Sequence, residues 1–189
     1  MIWKELSLLG AWIIDASILR WAELTSKFSK GMLKPSEIID LLLKDERTRQ
    51  IDDAKKIYFN HKHELICTWT SSVLSNFEID HIIPFSLWKN NDLWNLVPTS
   101  PKVNREKSDK IVTISLINRA KDNILDNWRF FVKADDKRFF NEAKILTGSY
   151  INRSNWENDL FAGLKEAVEC TAIQRGIKRW EPKTSTSSQ

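Results

Sequence analysis

The sequence predicts a mainly helical protein of the α+β class with one small strand–loop–helix insert. Of its 189 residues, 42% are hydrophobic and 29% charged, the proportions of an ordinary globular chain. Only five Gly and five Pro are present, which indicates few tight turns. Apolar residues recur at spacings of three and four over most of the chain, whereas short β-branched and aromatic runs occur between residues 65 and 97.

The N-terminal region, residues 3–28, has the apolar spacing of one or two helices. Its apolar stretch at 6–14 could pass for a short signal peptide. Asp15 ends that stretch, which is also too short to span a bilayer, so a packed helix is the favoured interpretation. Gly31 closes the region, and Pro35 suits the first turn of the next helix.

The insert begins where the helical spacing stops. Residues 66–70 and 77–83 are rich in β-branched and aromatic side chains and predict two short strands. A further short ordered piece follows at 93–97. Ser100 is then placed to cap a helix whose first turn holds Pro101.

The C-terminal region is predicted to be helical again from residue 111. Gly148 closes one apolar stripe, and Gly176 is a natural stop for the last helix. Ser154 and Glu157 have the spacing of a capping box that would begin that helix.

We therefore expect one compact domain. It would consist of an N-terminal helical region (1–64), a core (65–112), a C-terminal helical region packed on that core (113–181) and a disordered Ser/Thr-rich tail (182–189).

Charge and cysteine content limit the classes of partner and site. The net charge of +4 permits a polyanionic partner without requiring one. The two cysteines form no CxxC pair, which argues against a disulfide framework and a cysteine-based zinc site and fits a reducing cytoplasm. Basic residues cluster inside the insert, at Lys102, Arg105, Lys107 and Lys110.

The insert also contains the parts needed to hydrolyse a phosphodiester. His81 ends an apolar strand, and the pKa of an imidazole lies near neutrality, so His81 is a candidate general base. Asp80 and Asn104 offer hard oxygen ligands. Mg²⁺ retains several waters and needs only one or two such protein groups.

Other polar residues near His81 have predicted supporting roles. The amide of Asn95 is suited to bridge loop backbone and hold His81 in place. Lys107 and Ser108 share the helical face of Asn104, where we expect them to contact the phosphate backbone. His61 and His63 resemble a pair of metal ligands. The favoured interpretation is that both are surface residues in a polar connecting segment.

Residues 77–86, 91–98 and 103–109 together resemble the HNH, or ββα-metal, endonuclease family. The family pattern is Asp-His-x-x-Pro, a middle Asn-Leu, and a closing His or Asn followed three residues later by Lys. This resemblance implies that the fold is mainly α with a small ββα-metal (HNH) insert. It also implies a role for four residues. His81 would be the general base, Asp80 and Asn104 would be the metal ligands, and Asn95 would brace the loop.

The chain departs from many members of that family in two ways. The closing residue is Asn104 rather than His, as in the HNH domain of CRISPR effector nucleases, and an amide favours Mg²⁺ or Mn²⁺ over Zn²⁺. The two CxxC zinc knuckles of many relatives are missing from the sequence. We expect tryptophans in the helical flanks to hold the insert together instead, namely Trp21, Trp128, Trp156 and Trp180.

The resemblance implies a metal-dependent endonuclease that hydrolyses DNA, most simply double-stranded, with one Mg²⁺ (or Mn²⁺) per site and 3′-hydroxyl and 5′-phosphate products. A restriction or anti-phage defence role is expected. Two alternatives stay open, a non-catalytic nucleic-acid-binding subunit and a nuclease arm that is inactive without a partner assembly supplying specificity. Cutting both strands would require a homodimer or two successive nicks. The expected DNA contacts are Lys102, Arg105, Lys107, Ser108 and Lys110.

Overall fold

The computed structural model describes residues 2–43, 48–60, 64–148 and 151–182. These residues are mostly helical with small sheets, which confirms the predicted α+β class. The chain divides into two compact units, unit 1 (Met1–Thr48) and unit 2 (Arg49–Gln189). The finer boundaries at 64/65, 112/113 and 181/182 stay predictions, and residues 183–189 of the expected tail lie outside the described residues.

Unit 1 contains helix α1 (Ile2–Phe28) and helix α2 (Pro35–Leu43), which lies against it. Both helices were predicted, and Gly31 occupies the turn between them with φ +81°. Trp12 and Trp21 of α1 are 50% and 64% exposed, so neither side chain is buried by unit 1, and the expected role of Trp21 in holding the insert stays a prediction. No helix in the described part of the chain is long and apolar enough to cross a membrane.

Unit 2 carries the insert and the C-terminal helices. Its helices are α3 (Asp52–Phe59), α4 (Phe85–Trp88), α5 (Pro101–Lys107), α6 (Ile114–Arg119), α7 (Lys121–Thr147) and α8 (Trp156–Arg175). Its strands are β1 (Glu78–His81), β2 (Leu96–Thr99), β3 (Ile111–Val112) and β4 (Arg179–Trp180), and a 3₁₀ turn spans Leu93–Asn95.

The strand β1 pairs antiparallel with β2, and His81 lies opposite Leu96. The predicted strand at 66–70 is wrong, because that segment forms only a single bridge from Ile66 to Val73. Thr68 nevertheless reaches β2, where its N–H and its hydroxyl both donate to the Pro98 carbonyl at 3.0 Å. Proline has no N–H to return, so a regular ladder cannot form at that point.

Helix α5 begins as predicted. The Ser100 hydroxyl accepts a bond from the Val103 N–H at 3.3 Å, and Pro101 occupies the first turn. The chain then passes into β3, which pairs in parallel with β4 through Ile111↔Arg179 and Val112↔Trp180. The end of α5 is therefore tied to the segment that follows α8.

The core of unit 2 is built around large aromatic side chains. Trp94 and Trp128 are completely buried, and the Trp128 indole N–H donates to the Trp94 carbonyl at 2.9 Å. Of the other flanking tryptophans, Trp180 is buried and Trp156 is half-buried against Phe139 and Phe140. Three of the four tryptophans expected to hold the insert thus pack into unit 2.

The long helix α7 is interrupted at Asp135, where φ is −156° and ψ is 87°. The Asp135 carboxylate accepts a bond from the Arg138 N–H at 3.0 Å and so caps the second half of the helix. As predicted, α7 ends at Gly148 and α8 at Gly176, both left-handed.

The capping box predicted for α8 is wrong. The helix begins at Trp156 with Asn155 before it, not Ser154. The Glu157 carboxylate does not reach back to the helix start, because it accepts two bonds from the Arg129 guanidinium at 2.8 and 2.7 Å. A bidentate charge-assisted pair is stronger than the neutral backbone bond that the motif offers.

Helices α7 and α8 are in close contact at Gly163. A Cβ at this position would lie 2.2 Å from the Leu146 carbonyl oxygen and 2.8 Å from its carbon. Because those atoms are backbone, Gly163→Ala is expected to lower the free energy of unfolding by about 1–3 kcal/mol, measured by urea denaturation. Ala162→Ser, at the adjacent exposed position, is the control and should change it by less than about 0.5 kcal/mol. Equal midpoints for the two variants would contradict the close contact.

Candidate active site

Polar residues from β1 and α5 line one cleft of about 310 Å³ in unit 2. Strand β1 ends in Asp80 and His81, and α5 begins two residues after β2, so the β1–β2 pairing carries α5 back beside the end of β1. Residues separated by more than 20 positions in the sequence therefore share one wall. The lining residues are Arg49, Asp80, His81, Pro84, Phe85, Asn104, Arg105, Ser108 and Asp109.

His81 is held in an apolar setting. Its side chain is only 5% exposed, and its ring lies 5.5 Å from that of Phe85, centroid to centroid. Burial lowers the pKa of His81 from 6.5 to about 4, because its effect outweighs the opposing hydrogen bond to Asn91 and the negative charge of Asp80, and the positive charges of Arg49 and Lys107 lower it a little further. The imidazole is therefore uncharged at neutral pH and keeps a lone pair able to accept a proton.

Both carboxylate oxygens of Asp80 have partners. The Trp69 indole N–H donates to Oδ2 at 2.8 Å, and the Lys107 ammonium donates to Oδ1 at 2.9 Å. Each carboxylate oxygen can accept more than one bond, so these contacts fix the orientation of Asp80 without using up its capacity as a ligand. Asp80 itself is 5% exposed and faces the cleft with its carboxyl group anchored from behind.

The structure places Lys107 differently from the expected phosphate contact. Its side chain is fully buried, and the ammonium also donates to the His81 carbonyl at 2.6 Å. A buried ammonium requires a carboxylate and further acceptors, and Asp80 together with the end of β1 supplies them. Lys107 thus joins α5 to β1 inside the protein.

Asn104 is oriented by Glu78, which was not among the site residues predicted from the sequence. The Asn104 amide nitrogen donates to a carboxylate oxygen of Glu78 at 2.7 Å. Because the ligand atom of an amide is its oxygen, this bond turns the amide so that the opposite end is the one available to a cation.

Asn95 acts on the backbone just after His81. Its side-chain oxygen accepts the Ile83 N–H at 2.8 Å, its nitrogen donates to the Ile83 carbonyl at 3.0 Å, and its own carbonyl accepts the Ile82 N–H at 2.8 Å. Asn95 is completely buried, so these bonds are shielded from water. They fix the direction in which the chain leaves β1.

The oxygen donors suit a hard cation. Within the described ranges, no group of three or more His, Cys, Asp or Glu side chains is arranged to hold a metal ion. The predicted ligand set is one carboxylate and one amide oxygen, from Asp80 and Asn104, and a second carboxylate, Asp109, lines the same cleft. That set fits Mg²⁺ or Mn²⁺, which keep coordinated waters, better than Zn²⁺, which prefers four nitrogen or sulfur ligands.

Of the other expected DNA contacts, Arg105 and Ser108 line the cleft and Lys102 and Lys110 do not. Lys102 and Arg105 are exposed on α5, and Arg105 lines the cleft. Ser108 is exposed there as well, at a left-handed φ of 51° that ends the helix. Lys110 is half-buried, and its ammonium donates to the Glu106 carbonyl.

One cleft residue, Arg49, and two residues that orient the candidate ligands, Trp69 and Glu78, were not predicted from the sequence. Arg49 lines the cleft, lies 3.9 Å from a carboxylate oxygen of Asp109 and sits over the Phe85 ring. Trp69 and Glu78 orient the two candidate metal ligands. None of them has a local signal, apart from the position of Glu78 two residues before Asp80 on the same strand face. His61 and His63 lie outside the described residues.

Comparison with known proteins gives a family for this region. Residues 69–113 match the family model described as HNH endonuclease, which confirms the resemblance predicted from the sequence. The matched range includes β1, β2, α5 and every residue lining the cleft except Arg49.

Two longer proteins are similar to parts of the chain. The CRISPR-associated endonuclease Cas9 of Listeria innocua serovar 6a is 30% identical over 130 residues, covering 55% of this chain and 10% of that protein. Cas9 of Streptococcus mutans serotype c is 44% identical over 108 residues, covering 56% of this chain and 8% of that protein. The chain thus spans no more than 10% of the length of either relative. No solved structure matches it.

Proposed function

We propose, from the match of residues 69–113 to the HNH endonuclease family model, that the chain hydrolyses DNA phosphodiester bonds with the help of a divalent metal ion. One observation carries the proposal. An uncharged imidazole, a carboxylate and an amide, from His81, Asp80 and Asn104, line the same water-accessible cleft. A non-catalytic binding subunit would gain nothing from burying a histidine in its uncharged form beside two oxygen ligands.

In this mechanism His81 takes a proton from a water molecule as that water attacks phosphorus. Asp80 and Asn104 would hold one Mg²⁺ or Mn²⁺ ion, which when bound neutralises charge on the phosphate oxygens and on the departing 3′ oxygen. Trp69 and Lys107 keep Asp80 oriented, and Asn95 keeps the backbone after His81 in place. The family implies 3′-hydroxyl and 5′-phosphate ends. This arrangement is the ββα-metal insert, formed by β1, β2 and α5.

The substrate contacts are proposed to be phosphates rather than bases. Lys102 is exposed on α5, and Arg105, Ser108 and Arg49 line the cleft. Contacts of this kind position the duplex without reading its sequence, and their affinity falls steeply with added salt. Lys107 is omitted from this set because its ammonium is committed to Asp80.

The relatives suggest a biological setting. Both are named CRISPR-associated endonucleases, and the chain aligns with about a tenth of each. We therefore propose that this protein is a cytoplasmic defence nuclease acting on double-stranded DNA. Recognition of the target would come from residues outside the HNH domain or from a protein partner.

A supercoiled plasmid tests the proposal. Purified protein with Mg²⁺ or Mn²⁺ is expected to convert supercoiled plasmid to the nicked or linear form, and an excess of EDTA should stop the reaction. Conversion should be traced on agarose gels against time. Binding of the plasmid without any conversion in either metal would favour the non-catalytic alternative. Conversion only in the presence of a co-purifying protein would identify the chain as a partner-dependent nuclease arm.

A further inference from the structure

The imidazole of His81 has a polar contact that the mechanism above does not use. The His81 Nε2 atom lies 3.3 Å from the side-chain oxygen of Asn91. The same oxygen accepts the backbone N–H of Gln50 at 3.2 Å. Two nitrogens from distant parts of the chain therefore converge on one amide oxygen.

The Gln50 contact decides which end of the Asn91 amide faces the histidine. A backbone N–H can only donate, so the atom opposite it must be an acceptor, which is the amide oxygen and not the NH₂ group. An amide oxygen cannot donate in turn. The shared hydrogen in the contact with His81 must then be carried by Nε2.

We infer that Asn91 is a positioning residue that holds His81 as the Nε2–H tautomer and so makes Nδ1 the atom that accepts the proton from water. The inference rests on the proposed function for its catalytic meaning, but the tautomer itself does not depend on activity. Asn95 cannot do this, because its amide bonds with the Ile83 backbone fix the chain and not the ring. Asn95 would hold the backbone after His81, and Asn91 would keep the ring proton on Nε2.

The loop that carries Asn91 is rigid enough for this role. Asn90 and Asp92 bond to each other at 2.6 and 2.8 Å, and the Trp94 indole N–H donates to the Asp92 carboxylate at 3.1 Å. The Leu93 N–H donates to a carboxylate oxygen of Glu142 on α7 at 2.7 Å. The acceptor is thus fixed to the core, as a group that selects one tautomer has to be.

Nitrogen-15 NMR of the full chain labelled at histidine tests the inference directly. The His81 signals are assigned by their loss in His81→Gln. In the wild type, Nε2 should have the chemical shift of a protonated ring nitrogen and Nδ1 that of an unprotonated one. In Asn91→Leu both shifts should move toward averaged values as the two tautomers exchange. A wild-type spectrum with the proton on Nδ1, or an Asn91→Leu spectrum identical to wild type, would overturn the inference.

Cleavage measurements then connect the tautomer to the reaction. Asn91→Leu should lower the nicking rate by about 10–100-fold with DNA affinity unchanged, the usual effect of losing a group that orients a site residue. Asn91→Asp keeps an oxygen acceptor and should restore the wild-type spectrum and most of the rate. Asn141→Leu removes an exposed acceptor of the Lys144 ammonium and is the matched control. If the wild type does not cut DNA, the proposed function fails while the spectra still decide the role of Asn91.

Discussion

Replacement of His81 by alanine should lower the rate of DNA cleavage by about 10²–10⁴-fold, the usual contribution of a general base. DNA affinity should change little, because the ring is 5% exposed and, with its pKa lowered to about 4 by burial, uncharged at neutral pH. It therefore makes no charged contact with a phosphate. Initial rates of plasmid nicking in Mg²⁺ and fluorescence anisotropy with a labelled duplex measure the two quantities.

A second substitution separates lost chemistry from lost packing. His81→Gln fills much of the space beside Phe85 but offers no base at neutral pH, so it should be as inactive as His81→Ala. Thermal unfolding of both variants shows whether the fold is kept. Cleavage at the wild-type rate by either folded variant would disprove the assignment of the base.

Replacement of Lys107 by methionine should lower the free energy of unfolding by about 3–5 kcal/mol, the usual cost of removing one partner of a buried ion pair. The Asp80 carboxylate would stay buried without its ammonium, and the His81 carbonyl would lose its donor. Urea denaturation measures the loss. Cleavage should be lost as well, because the orientation of Asp80 depends on the same ammonium.

Helix α5 provides the control for this prediction. Lys102 is exposed on the same helix, and Lys102→Met should change the free energy of unfolding by less than about 0.5 kcal/mol. Adding Asp80→Asn to Lys107→Met should recover part of the stability, because it removes the unpaired charge. Equal denaturation midpoints for Lys107→Met and Lys102→Met would show that the buried pair contributes nothing.

The sequence was sufficient to predict that the candidate site residues lie together where the determinants are local. His81 and Asp80 end a strand bounded by Pro84, and Asn104 follows a capped helix start, so each side chain is tied to an element with clear boundary signals. The candidate base and both candidate ligands consequently line one cleft.

The parts that sequence reasoning missed depend on tertiary packing. Helical spacing places Lys107 beside Asn104, but it does not show that the long lysine stem turns inward to Asp80. Trp69 reaches Asp80 from a loop whose composition favoured a strand. Helical periodicity identifies an apolar face but not what covers it. It therefore could not predict that Trp12 and Trp21 in unit 1 are exposed.

The pairing of β3 with β4 can form only after the whole of α8 has been synthesised. A ribosome has translated all the cleft residues well before it reaches Arg179 and Trp180. Parallel pairing across a connection that includes three helices forms slowly, since the entropy of closing that connection must be overcome first. A nascent chain therefore contains all the cleft residues before β4, the strand that pairs with β3 just after α5, has been synthesised.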